Sequence, residues 1–398
     1  MDPLYGHGID LTIVLIVIGK TVAVFVLLLV SVLLLIWYER KFISDMQNRI
    51  GPNRAGPYGI LQTLADGIKL FFKEDLLPAQ ADRRVFRLAP YLSAVPAFMA
   101  FSVIPLGGSI SIAGHRTFMQ LADPPIGVLF LLAMSSIAVY GTMLAGWSSG
   151  SKYPLLGGVR ATAQAISYES AMSLAVASAV LIAGTLTTHG IVLDQAGKGY
   201  AGGLLPKWNL FTVGVVPFVI YLIAATAEVN RPPFDLVEAE SELVGGFHTE
   251  YSSVRFALFY LAEFMNTITV SAVAITLFLG GPNGPEILGL GGWSGIIWFL
   301  IKEIVFLSVY IWIRATLPRF RYDQLMDLGW KRLIPVSLYW LLLIAALRVG
   351  QDQGWTSWVV VAVGIGAGAL AWGLLSVAMQ VGAGNAAEDV LELGEANV

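Results

Sequence analysis

The sequence contains no cysteine, and only 13% of its 398 residues are charged. The absence of cysteine excludes disulfides, cysteine nucleophiles and iron–sulfur clusters bound through thiolates. A soluble domain carries about 25% charged residues, so this chain has too few to cover a surface in water. The net charge of −3 argues against binding to nucleic acid through bulk electrostatics. The composition therefore indicates an integral membrane protein, most of whose surface faces lipid.

Short motifs for cofactors are also missing. The four histidines, at positions 7, 115, 189 and 248, are scattered and make no short metal-binding spacing. The sequence has neither a GxxxxGK[ST] phosphate loop nor a GxGxxG motif after a strand. We expect the chain itself to bind no nucleotide, flavin, metal or cluster.

Hydrophobic residues are abundant, at 56% of the chain, and they form long runs. A spanning helix needs about 20 mostly apolar residues. By this measure the spans fall near residues 10–37, 86–106, 125–147, 160–186, 208–228, 253–280, 292–316, 333–349 and 355–380. The sequence thus predicts an all-α polytopic membrane protein of about nine transmembrane helices. Residues 1–350 would form a membrane domain of eight spans, and residues 351–398 an extra helix with an acidic tail.

Lysine and arginine are distributed unevenly over the loops. Of the 24 cations, 18 fall in the alternate loops 38–90, 148–160, 229–255 and 314–332, against four on the opposite side. Because cytoplasmic loops are enriched in these residues, we predict an N-terminus outside, large cytoplasmic loops and a cytoplasmic C-terminus. Within the first of these loops, residues 58–72 place apolar side chains on one stripe, as in an amphipathic helix on the membrane surface.

Acidic residues within apolar spans need a physical reason, because a charge at the bilayer centre costs roughly 2.5–3.5 kcal/mol. Glu169, Glu263 and Glu303 lie inside predicted spans, and Glu228 ends one. A buried carboxyl can hold a proton near neutral pH and pass it on through water. The alternative is that each is a neutral, hydrogen-bonded packing residue.

A second group of acids lies in the loop that follows Glu228. Including Glu228, six acids fall between residues 228 and 250, beside Arg231 and His248. If residues 234–244 are helical, Glu238 and Glu242 share a face, where like charges repel. Such a segment indicates carboxylates that share protons or meet cations of another chain, although charge clusters are more often solvated faces.

The chain resembles the H subunit of the bacterial proton-pumping NADH–quinone oxidoreductase (respiratory complex I), which is equivalent to mitochondrial subunit 1. Four long blocks carry the resemblance, in the right order and spacing. They are YERKFISDMQNRIGPNRAGPYGILQTLADGIKLFFKED (38–75), GWSSGSKYPLLGGVRATAQAISYE (146–169), AEVNRPPFDLVEAESELVGGFHTEY (227–251) and WIRATLPRFRYDQLMDLGWK (312–331).

The resemblance implies a place in the membrane arm of the complex, in a bacterial cell membrane. There the protein forms the quinone-binding chamber with two soluble subunits and couples quinone reduction to proton translocation through buried carboxylates. Quinone would be the substrate, while FMN and the iron–sulfur clusters would belong to partner subunits. The expected partners are therefore other complex I subunits, quinone and the lipid bilayer, with no nucleic acid.

The resemblance also assigns roles to residues of the matching blocks. The quinone chamber would include Glu39, Arg40, Asp66, Asp235, Glu238, Glu240, Glu242 and Glu250. The proton relay would include Glu169, Glu228 and Glu263. Docking to the soluble arm would use Gln47, Arg49, Asn53, Arg54, Arg319, Arg321 and Asp323. No catalytic residue or metal ligand is expected on this chain alone.

Two features depart from the family pattern, and two other functions stay open. Lys20, inside the first span, has no assigned role, and the span 355–380 extends beyond the family core. A homologous membrane subunit of a hydrogenase, or of a quinone reductase fed by another donor, would have a related fold. A free-standing ion transporter would be expected to show inverted repeats, which we do not find in the sequence.

Overall fold

The computed structural model describes residues 3–4, 10–197, 199, 206–236, 243–285 and 291–354, with some positions between 358 and 373. Its helices are α1 Leu11–Met46, α2 Gln62–Phe72, α3 Arg83–Phe101, α4 Gly127–Ser148, α5 Lys152–Ala183, α6 Thr188–Asp194, α7 Val215–Glu228, α8 Ser253–Phe278, α9 Ser294–Thr316, α10 Tyr322–Leu328 and α11 Ile334–Asp352. A π-helical turn, Gly329–Leu333, joins the last two. Short 3-10 turns occur at Pro57–Gly59, Asn209–Phe211, Gly246–His248 and Gly291–Trp293.

The predicted all-α membrane fold is confirmed. Over the described residues, six helical stretches are long and apolar enough to cross a bilayer: α1, α4, α5, α8, α9 and the continuous segment Tyr322–Gly350. The central one is α8, whose most apolar window is 83% buried inside the chain. Helix α8 contacts α1, α3, α7 and α9. This core position brings side chains from four helices together around α8.

Helix boundaries differ from the predicted spans where polar sequence remains helical. Helix α1 continues to Met46, about two turns beyond the apolar run, so Glu39 and Arg40 lie on a helix. Helix α7 has only 14 residues, a length of about 21 Å, which is shorter than the hydrocarbon core. Its predicted span began at residue 208, where the structure has a 3-10 turn, Asn209–Phe211.

Two antiparallel strands, β1 Ser109–Ile112 and β2 His115–Phe118, form a hairpin between α3 and α4. The side chain of Lys20 in α1 donates a hydrogen bond of 2.9 Å to the hydroxyl of Thr117 in this hairpin. Lys20 therefore has a polar neighbour, one of the two arrangements that its position in an apolar span allows.

The amphipathic helix predicted within residues 58–72 is present as α2. Its apolar side chains are exposed, with Phe71 72% and Phe72 87% accessible in this chain. The preceding loop folds back tightly at Gly59, which has a φ of +75° and where an added Cβ would lie 2.4 Å from the Pro52 backbone. The loop therefore fixes the start of α2 through close backbone contact.

The chain divides into two compact units, residues 1–334 and 335–398. The division predicted after residue 350 stays a prediction. Within the second unit, the Tyr339 hydroxyl donates to the Gly364 carbonyl at 2.9 Å. A Cβ added at Gly368 would lie 1.9 Å from that same hydroxyl, as expected for closely packed small residues. Most of the predicted span 355–380 and the whole acidic tail lie outside the described residues.

Candidate functional site

The turn that follows α7 is held in place by Gln164, a fully buried residue of α5. The Gln164 amide donates to the carbonyls of Ala227 and Phe234 at 2.8 and 3.0 Å, and to the Asn230 side chain at 3.2 Å. The turn contains a cis peptide bond between Pro232 and Pro233. These contacts fix the backbone on both sides of Arg231.

Arg231 is the centre of a group of four charged side chains that we call the ion-pair cluster: Glu39, Arg231, Glu263 and Arg314. One guanidinium nitrogen of Arg231 lies 3.0 and 3.1 Å from the two carboxylate oxygens of Glu39. Its Nε lies 3.6 Å from Glu263, and Arg314 also contacts Glu39. Two positive and two negative groups are thus brought together from α1, α8, α9 and the turn.

Burial makes this pairing necessary. Glu39 is 5% exposed and Arg231 is 7% exposed, and a buried charge is tolerated only when it is paired. The guanidinium also lies 4.4 Å from the centre of the Phe264 ring, a cation–π contact. The cluster borders a small cavity that is also lined by Tyr310.

Residues expected together in a quinone chamber occupy two different environments. Glu39 points inward to the ion-pair cluster, whereas its neighbour Arg40 bonds to Asp66 of α2 at 2.8 Å. The Arg40 and Asp66 side chains are 43% and 32% exposed. Asp235 is buried and accepts a bond of 2.7 Å from Arg319, which joins the acidic segment to the block expected to dock.

The membrane interior contains a second group, the serine-linked acids: Glu169, Glu228, Ser135 and Ser136. Ser135 and Ser136 are consecutive on α4, and their hydroxyls donate to different helices. Ser135 donates to Glu228 at the end of α7, and Ser136 donates to Glu169 in α5. The two carboxyls are close enough to interact electrostatically. Helix α4 therefore connects two of the three predicted relay acids.

A cavity lies between the two groups. Its wall includes Glu228 and Ser135 from the serine-linked acids, and Glu263 from the ion-pair cluster. Asn230 and His248 also line it. Two of the three predicted relay acids, Glu228 and Glu263, therefore line one cavity. The third, Glu169, contacts Ser136, which is next in sequence to the cavity residue Ser135.

The loop side of this cavity is lined by aromatic rings that contact one another. The His248 ring meets the rings of Phe247 and Phe256 at centroid distances of 5.0 and 5.3 Å. Burial lowers the pKa of His248 to about 4, and the charge of Asp235 opposes this shift in part. His248 is therefore neutral at pH 7 and adds no positive charge to the cavity.

Tyr251 attaches the same loop to α3. Its ring stacks on Phe86 at 3.9 Å, and its hydroxyl donates to the Phe86 carbonyl at 3.1 Å. Burial raises the pKa of Tyr251 to about 12, so the hydroxyl stays protonated and keeps its role as donor. Gly157 of α5 permits the close approach of the loop, because an added Cβ would lie 2.7 Å from the backbone of Gly246.

The residues expected to dock lie at exposed positions on the loop and on the last charged block. They are Gln47, Arg49, Asn53, Arg54, Arg319, Arg321 and Asp323. Arg49 donates to Gln47 at 2.7 Å, so these two form a local unit. Glu250 is half-buried in the loop before α8. Glu238, Glu240 and Glu242 lie outside the described residues.

Several residues of the site had no role in the sequence interpretation. Arg231 was seen only as a cation beside an acidic run, although a lone arginine next to buried acids is a signal for an ion pair. Ser135 and Ser136 gave no signal, because hydroxyls are common in apolar helices. Arg314 was grouped with the last charged block, whereas its side chain contacts Glu39.

Comparison with known proteins gives a consistent result over most of the chain. The model of a family described as NADH dehydrogenase matches residues 19–345. A protein of Frankia alni, named as the H subunit of NADH-quinone oxidoreductase, is 54% identical over 367 residues, which cover 90% of this chain and 78% of that relative. A protein of Frankia casuarinae with the same name is 56% identical over 347 residues, which cover 86% and 75%.

Proposed function

The chain belongs to the NADH dehydrogenase family and is a membrane subunit of NADH–quinone oxidoreductase, and we propose that it forms the quinone chamber and couples quinone reduction to proton translocation. The relatives' names favour this function over the hydrogenase and transporter alternatives. The observation that carries the coupling proposal is the single cavity whose wall contains both Glu228 and Glu263.

The proposed relay begins at the ion-pair cluster. Reduction of a quinone takes up negative charge and protons, and groups near the chamber respond to that change through electrostatics. Arg231 is shared between Glu39 and Glu263 at 3.0 and 3.6 Å. A change of charge near Glu39 therefore alters how strongly Arg231 stabilises the carboxylate of Glu263.

From Glu263 the relay continues across the cavity to the serine-linked acids. Glu228 faces the same cavity, and the consecutive residues Ser135 and Ser136 donate to Glu228 and Glu169, respectively. A hydroxyl both donates and accepts hydrogen bonds, so each serine can support proton exchange at the carboxyl it contacts. Protons then move from the loop side toward the middle of the membrane.

We also propose that the residues assigned to the quinone chamber and to docking in the sequence analysis have those roles, and that the chain has the predicted orientation in the membrane. The exposed apolar face of α2, and the bond between its Asp66 and Arg40 of α1, fit a position at the membrane surface beside the chamber. Redox cofactors and the NADH site would belong to soluble partner subunits. The large loops would face the cytoplasm of a bacterial cell, with the N-terminus outside.

The test is a comparison of Glu169→Gln and Glu228→Gln in the intact complex in native membranes. Each change removes an ionisable group and keeps the size of the side chain. We expect quinone reduction coupled to pumping to fall by about tenfold or more, because a positioned proton-transfer group typically contributes about a hundredfold or more. Pumping is measured by the quenching of a pH-sensitive dye in closed vesicles.

Two controls separate this effect from loss of assembly. NADH oxidation by a water-soluble artificial acceptor measures whether the redox arm is attached, and should be unchanged. Asp10→Asn removes a carboxylate from an exposed N-cap, where asparagine caps a helix as well as aspartate does, and should pump normally. Normal pumping in both glutamate variants would contradict the relay.

A further inference from the structure

Helix α9 carries a buried polar stripe that the assigned roles leave unused. Glu303 and Tyr310 are seven residues apart, so they lie on one face of the helix two turns apart. Glu303 is 6% exposed and Tyr310 is 4% exposed. Arg314, one turn further on, belongs to the ion-pair cluster. The stripe therefore leads from that cluster into the membrane interior.

The carboxyl of Glu303 has no charged partner among the described residues. Neither of its oxygens accepts or donates a hydrogen bond within the part of the chain that the structure describes. The adjacent Lys302 is used elsewhere, since its ammonium group donates to the carbonyls of Leu279, Gly281 and Asn283 at 2.8, 2.8 and 2.9 Å. An ionised carboxylate in this place would be a buried, uncompensated charge, so the neutral acid is favoured.

Tyr310 connects this acid with both groups of the candidate site. It lines the small cavity beside the ion-pair cluster together with Glu39, Arg231 and Arg314. Its hydroxyl is within electrostatic range of Glu303 and of Glu228. The Tyr221 hydroxyl of α7, which donates to the Val270 carbonyl at 2.9 Å, lies within range of the same two acids.

Glu228 has an oxygen available for this connection. Its Oε1 accepts from Ser135, whereas its Oε2 is buried and has no hydrogen-bond partner among the described residues. Buried polar atoms without a protein partner are the positions where internal water molecules bind. Glu303 and Glu228 therefore both offer unused carboxyl oxygens within electrostatic range of the Tyr310 hydroxyl.

We propose that Glu303 and Tyr310 form a second proton-carrying branch on α9 that joins the ion-pair cluster to Glu228. The inference rests on the proposed function, because it adds a route to the same relay. A tyrosine hydroxyl gives its proton to one neighbour while it accepts a proton from another. The net result is one proton moved between Glu303 and Glu228, with no charge left on the tyrosine.

The experiment uses Glu303→Gln and Tyr310→Phe in the intact complex, in closed vesicles, beside Glu228→Gln. Each change removes one ionisable proton and nearly keeps the shape of the side chain. We expect pumping to fall by roughly twofold, less than the fall of about tenfold or more expected for Glu228→Gln, because the route from Glu263 to Glu228 remains. Tyr140→Phe is the matched control, since Tyr140 is 66% exposed on α4.

A structural role is separated from a proton-carrying role by infrared spectroscopy. The difference spectrum between oxidised and reduced complex should contain a carboxylic acid C=O band that shifts in deuterated water and is lost in Glu303→Gln. A double variant of Glu303 and Tyr310 should pump no worse than the poorer single variant, because both belong to one branch. If Glu303→Gln does not assemble, Tyr310→Phe alone decides between the outcomes.

The outcomes distinguish the branch from the function on which it rests. If Tyr310→Phe and Glu303→Gln pump normally and the infrared band is unchanged, while Glu228→Gln fails, the branch is wrong and the relay stands. If Glu228→Gln and Glu169→Gln also pump normally, the proposed relay itself is wrong. Loss of pumping in the two α9 variants, with the control unchanged, would support the branch.

Discussion

Arg231 and Glu39 should depend strongly on each other for the stability of the protein. Both side chains are less than a tenth exposed, with a contact of 3.0 Å between them. Removing one partner of a buried ion pair typically costs about 3–5 kcal/mol. Because Arg314 still contacts Glu39 after the loss of Arg231, we place the cost of Arg231→Gln at the lower end, about 3 kcal/mol.

The assay is a double-mutant cycle with Arg231→Gln, Glu39→Gln and the variant that carries both changes. The measured quantity is the temperature at which half of this chain is lost from the detergent-solubilised complex on native electrophoresis. With a shift of about 2 °C per kcal/mol, each single change should lower this temperature by roughly 6 °C. The double variant should lose about 2 kcal/mol less than the sum of the single losses, because the contact between Arg231 and Glu39 can be lost only once.

The neighbouring pair provides the control for burial. Arg40 bonds to Asp66 at 2.8 Å, but the two side chains are 43% and 32% exposed. Exposed pairs contribute at most about 1 kcal/mol, so Arg40→Gln should lower the temperature by only about 2 °C. The argument from burial would be refuted if the temperature shifts of Arg231→Gln and Glu39→Gln were strictly additive. It would also be refuted if Arg40→Gln lowered the temperature as much as Arg231→Gln does.

Two further changes test the packing of the loop against the helices. Gly157→Ala should destabilise the complex by about 1–3 kcal/mol, because its Cβ would lie 2.7 Å from the Gly246 backbone. Gly19→Ala is the control and should leave the stability unchanged, because no atom lies within 4 Å of its Cβ. Equal melting temperatures of the two variants would contradict the contact. The lowered pKa of His248, about 4 against 6.5 in the unfolded chain, predicts a stability contribution that is complete above pH 6.5 and lost as pH falls toward 4. His248→Asn should therefore flatten the fall in melting temperature between pH 6.5 and 5, and an unchanged slope would show that the imidazole takes up its proton in the folded state.

The sequence predicts the membrane fold well, because hydrophobic runs are long and their physical meaning is simple. The predicted spans at 125–147, 253–280 and 292–316 lie within about two residues of helices α4, α8 and α9. Hydropathy does not report where a helix ends once it leaves the lipid, which is why α1 extends beyond residue 37. Hydropathy also overestimates the length of α7, because the apolar residues of the preceding 3-10 turn have the same hydropathy as residues of a helix.

The arrangement of the site was less predictable, because it depends on helix rotation and on contacts distant in sequence. Glu39 and Arg40 are adjacent, but each residue of an α-helix turns by about 100°. One therefore faces Arg231, 192 positions away, and the other faces Asp66 at the surface. The local sequence does not indicate whether Glu39 or Arg40 is buried, because both are charged residues in the same polar stretch.

The position of Arg231 explains how charge at the loop side can influence an acid in the membrane without a continuous chain of hydrogen bonds. Two arginines and two glutamates form the ion-pair cluster, so its charges balance when both acids are ionised. Protonation of Glu39 would release Arg231 from its shorter contact, 3.0 Å, and leave it free to stabilise Glu263 at 3.6 Å. Negative charge near Arg231 would have the opposite effect, because it competes with Glu263 for the guanidinium. Either change alters the charge of Glu263, which shares the wall of one cavity with Glu228. The charge of Glu263 in turn alters the affinity of Glu228 for a proton, as a proton relay requires.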